Sequence, residues 1–366
     1  MPFSYIPPAG QYFSGDRHPA ASYAHTMSDE RARLLAHGSL GRALLAEIVG
    51  FDDFAVHKGI DLPTKVEEAV PHLDRLASCD EPLALLASLH WNPLGFGFSG
   101  DHEEWEARLS DGTDALIPVA EALVACPAAS WWWDPLAADQ QRWLSCDHGA
   151  DGLPRGEAIE LALARDVEKE IEAQVDKQNL AFYKASLRHD NYSGEWWSAP
   201  LGPEMVYTSR SGPGDLPCIE IATMEDPLGP ETFQIWAVEF DPKARVYEVK
   251  APEDWARLVD LAPLDVTVRR DPDWSRWAGH HGPWFLPDWR VIGETFDAVH
   301  MTLGGYLGTR GMGIEVETGF TLLAGWDAGT ALWLRDAFRE VRYVESWYGD
   351  PGQDGLPEPF RLVQHQ

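Results

Sequence analysis

Residues 157–187 contain no glycine and no proline and are rich in Ala, Glu, Leu and Lys, so this stretch is predicted to form one long helix of about eight turns. Such a helix is expected to join the two halves of the chain. The Gly- and Pro-containing segment before it, Gly149 to Gly156, is the expected boundary. With 366 residues the chain exceeds the roughly 250–300 at which one hydrophobic core stops growing. The expected division is a helical part with an N-terminal arm over 1–150, a connecting helix and tryptophan-containing loop over 151–200, and a ligand-binding or catalytic part over 201–366.

The first part reads as α. Pro7, Pro8, Gly10, Gly15 and Pro19 favour an extended arm over 1–25. From Ser28 a capping residue, acidic first-turn residues and the apolar positions Leu34, Leu35, Leu44, Leu45 and Ile48 predict a helix to about residue 49, weakened at Gly38 and Gly41. Thr64 with Glu67 matches a capping box, predicting a helix from about Lys65 to Ala77. Further helices are expected at 81–89 and 113–126. The glycine-rich segment 92–100 lacks the Gly-Lys-Ser/Thr ending of a phosphate-binding loop.

After residue 200 the pattern turns to short β-rich runs: 204–210, 217–223, 233–240, 245–250, 297–302 and 320–323, with short helices at 252–261, 287–294 and 333–340. Strands that follow one another without long crossover helices predict an α+β fold with a mostly helical N-terminal half and a largely antiparallel, β-rich C-terminal half.

The 59 Asp and Glu against 29 Lys and Arg give a formal charge of −30, a field that repels phosphate backbones and anionic headgroups. Nucleic acid and membrane partners are therefore not expected, while a basic protein partner is compatible with the charge. The four cysteines, at 79, 126, 146 and 218, form no C-x-x-C pair. With neither a leader-like start nor a long apolar stretch, the expectation is a cytoplasmic protein.

Seventeen tryptophans supply either core or the wall of a ligand site, and Trp284 and Trp289 are the candidates to touch a ligand. His280 and His281 are adjacent, a spacing that sends the rings apart on an extended chain, so no metal site is expected. On an alternating strand His300 would share a face with Thr302 and Ala298, as if lining a cleft. Arg210 leaves a strand into a glycine turn, where its planar fork suits a phosphate or carboxylate, and Tyr207 could stack beside it. Glu315 and Glu317 are two apart and would share a strand face. No Gly-x-Ser-x-Gly and no strand-to-helix G-x-G-x-x-G occurs.

Over about residues 204–335 the chain loosely resembles ADP-ribosyltransferase-type NAD-binding domains. Arg210, Thr302 and Glu317, with Glu315 as the preceding acid, carry that resemblance. So does the phrase Trp236 to Phe240, then Arg245 to Val249, then a helix containing Trp255. It implies NAD as the small-molecule substrate of a transferase or glycohydrolase. Arg210 would hold the pyrophosphate, an aromatic would stack on nicotinamide, and Glu317 would stabilise the ribose cation. Two alternatives from other classes stand beside it. One is a small-molecule enzyme of specialised metabolism with a tryptophan-lined cleft, using His300 with Asp297 or Glu294 as acid and base. The other is a non-catalytic acidic interaction or immunity protein.

Overall fold

Strand β1 (Gln141–Cys146) comes from the first half of the chain, yet it lies inside the sheet of the second half. In this computed structural model, which describes residues 20–51, 58, 60–73, 109, 112–146, 155–176, 195–202, 204–212, 216–223, 231–279, 281–350 and 358–362, β1 pairs antiparallel with two strands. These are β2 (Val206–Arg210) and β3 (Glu231–Phe240). With β4 (Val246–Val249), β7 (Ala298–Met301), β10 (Thr330–Trp333), β11 (Phe338–Asp350) and β12 (Glu358–Leu362) they form an eight-stranded sheet of order β12-β11-β3-β1-β2-β10-β7-β4. All its pairings are antiparallel except β4 with β7. Two small ribbons complete the sheet structure: β5 (Pro263–Asp265) with β6 (Phe285–Pro287), and β8 (Gly313–Val316) with β9 (Gly319–Leu322). The fold is α+β, with helices dominating the first half and a mixed sheet the second.

Strand parity sorts side chains onto two faces. The registers Ala331↔His300, Ala331↔Thr208, Gln141↔Arg210 and Glu248↔His300 put His300, Glu248, Thr208, Gln141 and Arg210 on one face. Residues 131–137 run across that face, with Trp131 beside Arg210 and the Leu136 N–H on Glu248. Beneath them a buried relay crosses the sheet: Trp333 Nε1 donates to Thr208 Oγ1 at 2.9 Å, and Thr208 Oγ1 to Gln141 Oε1 at 2.9 Å. The opposite face carries Tyr207, whose hydroxyl donates to the Pro200 carbonyl at 2.7 Å, and a cluster of Trp255, Trp289 and Trp326. One apolar core runs from Ala32 to Phe338, so both halves of the chain share it.

Several elements differ from the sequence expectation. Helix α1 (Ala20–His37) begins inside the stretch expected as an arm, and Gly38 separates it from α2 (Ser39–Ile48). The cap of α3 (Leu62–Ala69) is Asp61, which accepts from the Thr64 N–H at 2.9 Å, with Pro63 in the first turn; Thr64 is not the cap. Asp61→Ala should therefore fray this helix, seen as faster amide exchange over 62–69 with little change elsewhere. The helix expected at 113–126 is present as a 3-10 turn, Thr113–Leu116, and α4 (Ile117–Ala125). The long helix is α5 (Glu157–Val175), closed where Asp176 turns extended. The remainder of 177–187 lies outside the described residues, as do the helix expected at 81–89, the segment 92–100 and Cys79.

The run expected as a strand at 217–223 ends in a short helix, α6 (Glu220–Thr223). The expected helix 252–261 is present as α7 (Pro252–Leu261) and that at 287–294 as α9 (Trp289–Thr295), with an unforeseen helix α8 (Thr267–Ala278) between them. The helix expected at 333–340 is instead the end of β10 and the start of β11. Leu303–Thr309, glycine-rich and outside the helices expected from the sequence, forms α10. Its glycines are required by close approach. A Cβ on Gly305 would stand 2.5 Å from the Val249 carbonyl oxygen, and one on Gly304 would stand 2.2 Å from Trp133 Nε1.

Candidate functional site

Helix α1 buries Ala32, Leu35 and Ala36 on one side and turns Met27, Arg31 and Leu34, spaced three and four apart, towards β8 and the first turn of α7. Between these elements opens a cleft of about 810 Å³, a size that suits a metabolite. Trp133 forms part of its wall, along with Ala251, Met312 and Ile314. Charge is sorted by depth. Arg31 and Lys250 are half-buried, whereas the carboxylates Glu30, Glu253 and Glu315 are exposed, with Arg33 and His37, at the rim. Arg31 lies 4.9 Å over the Trp133 ring. Neither Arg31 nor Lys250 has a carboxylate within ion-pair distance among the described residues. The first turn of α7 also lines the cleft through Ala251, Pro252 and Glu253; Pro252 has no N–H to offer, and the Asp254 N–H donates to the Ala251 carbonyl at 3.0 Å.

Two residues before Lys250, Glu248 on β4 takes part in a second feature. His300 Nδ1 is 2.6 Å from Glu248 Oε2, and the other oxygen of Glu248 accepts from the Leu136 N–H at 2.9 Å. The parallel register of β4 and β7 sets this pair side by side. The partner of His300 is thus Glu248, not Asp297 or Glu294. Asp297 is held by Arg245 at 2.8 Å, and that arginine keeps its carboxyl below the ordinary range despite partial burial.

The residues singled out in the sequence are scattered. Glu315 reaches the cleft rim. Glu317 is exposed in the turn between β8 and β9, where its N–H donates to Asp260 at 2.9 Å. Arg210 shares the sheet face of His300, but its guanidinium lies over Trp131 and 3.4 Å from Asp134. Tyr207, three residues before Arg210, falls on the opposite face by strand parity and cannot stack beside it. Burial there pushes its phenol well above the ordinary value. Thr302 caps α10, accepting from Gly305 at 3.0 Å and donating to the Val249 carbonyl at 3.1 Å. Trp284 is sealed, its Nε1 donating to Asp271 and Ser275 at 3.0 Å, and Trp289 packs on Trp255 and Trp326. Among the described residues the tryptophan lining the cleft is Trp133, not Trp284 or Trp289.

Cys218 is no nucleophile. Burial, reinforced by the nearby Glu220, pushes its thiol up to about 12, so thiolate is scarce at neutral pH. Among the described residues no three His, Cys, Asp or Glu side chains are grouped to hold a metal, and no single helix is long and apolar enough to cross a membrane. The chain matches no protein-family profile, no curated protein and no solved structure.

Proposed function

We propose that this protein binds a small anionic metabolite carrying a flat ring in the cleft between α1, α7 and β8. NAD, which joins a diphosphate to two aromatic bases, is the first compound to test. One observation carries the reading: in a chain of charge −30, the two charged side chains half-buried in the cleft are both cations, and neither has a carboxylate partner among the described residues. The overall field opposes the approach of an anion, so an inward-facing pair of cations has to act locally, where partial burial strengthens it. Trp133 is 4% exposed and lies under Arg31, so it steadies the guanidinium plane, and a ligand ring stacking on that plane would be oriented by it. The exposed glutamates at the rim reject a ligand that carries negative charge along its whole length.

Calorimetric titration with NAD, nucleotides and aromatic carboxylates tests this. Lys250→Met and Arg31→Leu each remove a charged hydrogen-bond donor, so affinity should fall about 10- to 100-fold per substitution. Folding stability should change little, because neither residue is fully buried. Binding of none of these anions, or binding indifferent to both substitutions, would sink the proposal.

A further inference from the structure

His300 is 7% exposed, and one ring nitrogen is fixed by Glu248. Among the described residues the other, Nε2, has no protein partner, yet it is not one of the polar atoms sealed from solvent without a partner. A core histidine usually pairs both ring nitrogens. Here the idle nitrogen of a buried, strand-mounted ring keeps access to open space. Glu248 is itself immobilised, with one oxygen on the Leu136 N–H and the other on the ring.

We infer that His300 and Glu248 form a proton-transfer site, with Nε2 of His300 the accepting atom and Glu248 the positioning carboxylate. As acceptor, the Glu248 carboxylate holds the proton on Nδ1 and leaves the lone pair on Nε2. In the forward step the O–H bond of a ligand hydroxyl or a water breaks, the oxygen keeps the electron pair, and an N–H bond forms at Nε2. The resulting imidazolium keeps its Nδ1–H on Glu248, and the proton later returns to a leaving group or to water. The substrate class follows from placement and rests on the proposed cleft. Lys250 follows Glu248 by two residues, about 6.6 Å along an extended chain and on the same face. The ligand is therefore an anion whose reacting oxygen lies about that far inward from its charged group.

Carbethoxylation by diethyl pyrocarbonate, read at each histidine by mass spectrometry, tests this without a known substrate. In the folded protein His300 should be modified, more slowly than the exposed His37. Glu248→Gln keeps an acceptor for the Leu136 N–H but turns an amide N–H towards Nδ1. That moves the ring proton to Nε2 and should slow modification of His300 at least about tenfold, with His37 unchanged. Modification of His300 only after unfolding, or an unchanged rate in Glu248→Gln, overturns the proposal. NAD, as the probe of the cleft, should protect His300. If NAD binds and does not protect it, the placement relative to the cleft is wrong while the cleft reading stands. If NAD does not bind, the cleft reading loses its first candidate, and the rates in the two proteins still decide on the pair.

Discussion

Arg270→Met is expected to cost about 3–5 kcal/mol of folding free energy at neutral pH, because it removes the buried partner of a buried carboxylate and leaves it one partly exposed cation. Arg270 on α8 and Glu170 on α5 are both almost completely buried, with Nη1 and Oε1 2.8 Å apart. Arg270 also donates to the Trp197 carbonyl at 3.2 Å. Arg269 is left as the remaining cation on Glu170, at 3.3 Å and partly exposed. Burial already raises the Glu170 carboxyl above its ordinary value against the pull of Arg270, and without that arginine it rises further. The sign follows. A carboxyl raised in the folded state binds its proton more tightly there than in the unfolded chain, so folding gains as pH falls towards the ordinary carboxyl range. Urea unfolding should therefore show a large deficit at neutral pH that shrinks as pH approaches about 5. Adding Glu170→Leu should recover much of the loss at neutral pH, since the under-compensated buried charge is gone. A deficit that is independent of pH and unmoved by the second substitution would mean that lost packing, not the buried charge, sets the cost.

The sequence carried the strands whose side chains alternate, such as β3 and β7, because one face of each is apolar whatever its partners are. It did not carry β10. The run from Ala331 to Phe338 holds Leu, Arg and Ala in helical proportions, and propensity is overridden where Ala331 and Trp333 are fully buried between β2 and β7. The converse holds for α10, whose glycines argue against a helix but are needed where α1 and β4 come close. His300 was legible as a residue on one face of a strand. Its partner Glu248 was not, since 52 residues separate them and parallel register has no local mark. The cleft was hidden for the same reason: Arg31, Trp133, Lys250 and Glu315 come from four separate segments, and only Glu315 had drawn notice as a carboxylate in an alternating pair. Trp284 and Trp289 illustrate the limit on composition, for a tryptophan count cannot tell wall from core.

The glycines of α10 furnish a paired prediction about how that cleft is held. In Gly305→Ala the new methyl would stand 2.5 Å from the Val249 carbonyl oxygen and 2.9 Å from the Lys250 Cα, both backbone atoms, and 2.8 Å from Thr302 Oγ1. Val249 closes β4 and Thr302 is the cap of the helix itself, so none of the three can yield by turning a flexible side-chain end. Three contacts under 3 Å put the overpacking near the upper end of about 1–3 kcal/mol, which exceeds the gain in helix propensity of about 1 kcal/mol, and a net loss of about 1–2 kcal/mol is expected. The shift needed to relieve the contact falls on Lys250 and on the helix that brings Gly308 to the cleft, so ligand affinity should fall with stability. Gly293, within α9, is the control. A methyl there meets its nearest neighbour, the Leu334 Cβ, at 3.6 Å, an ordinary contact. Gly293→Ala should thus be neutral or stabilise by up to about 1 kcal/mol and leave binding untouched. Thermal unfolding of the two variants side by side separates the effects. Equal stabilities would show that α10 does not rest on β4 as closely as this packing requires.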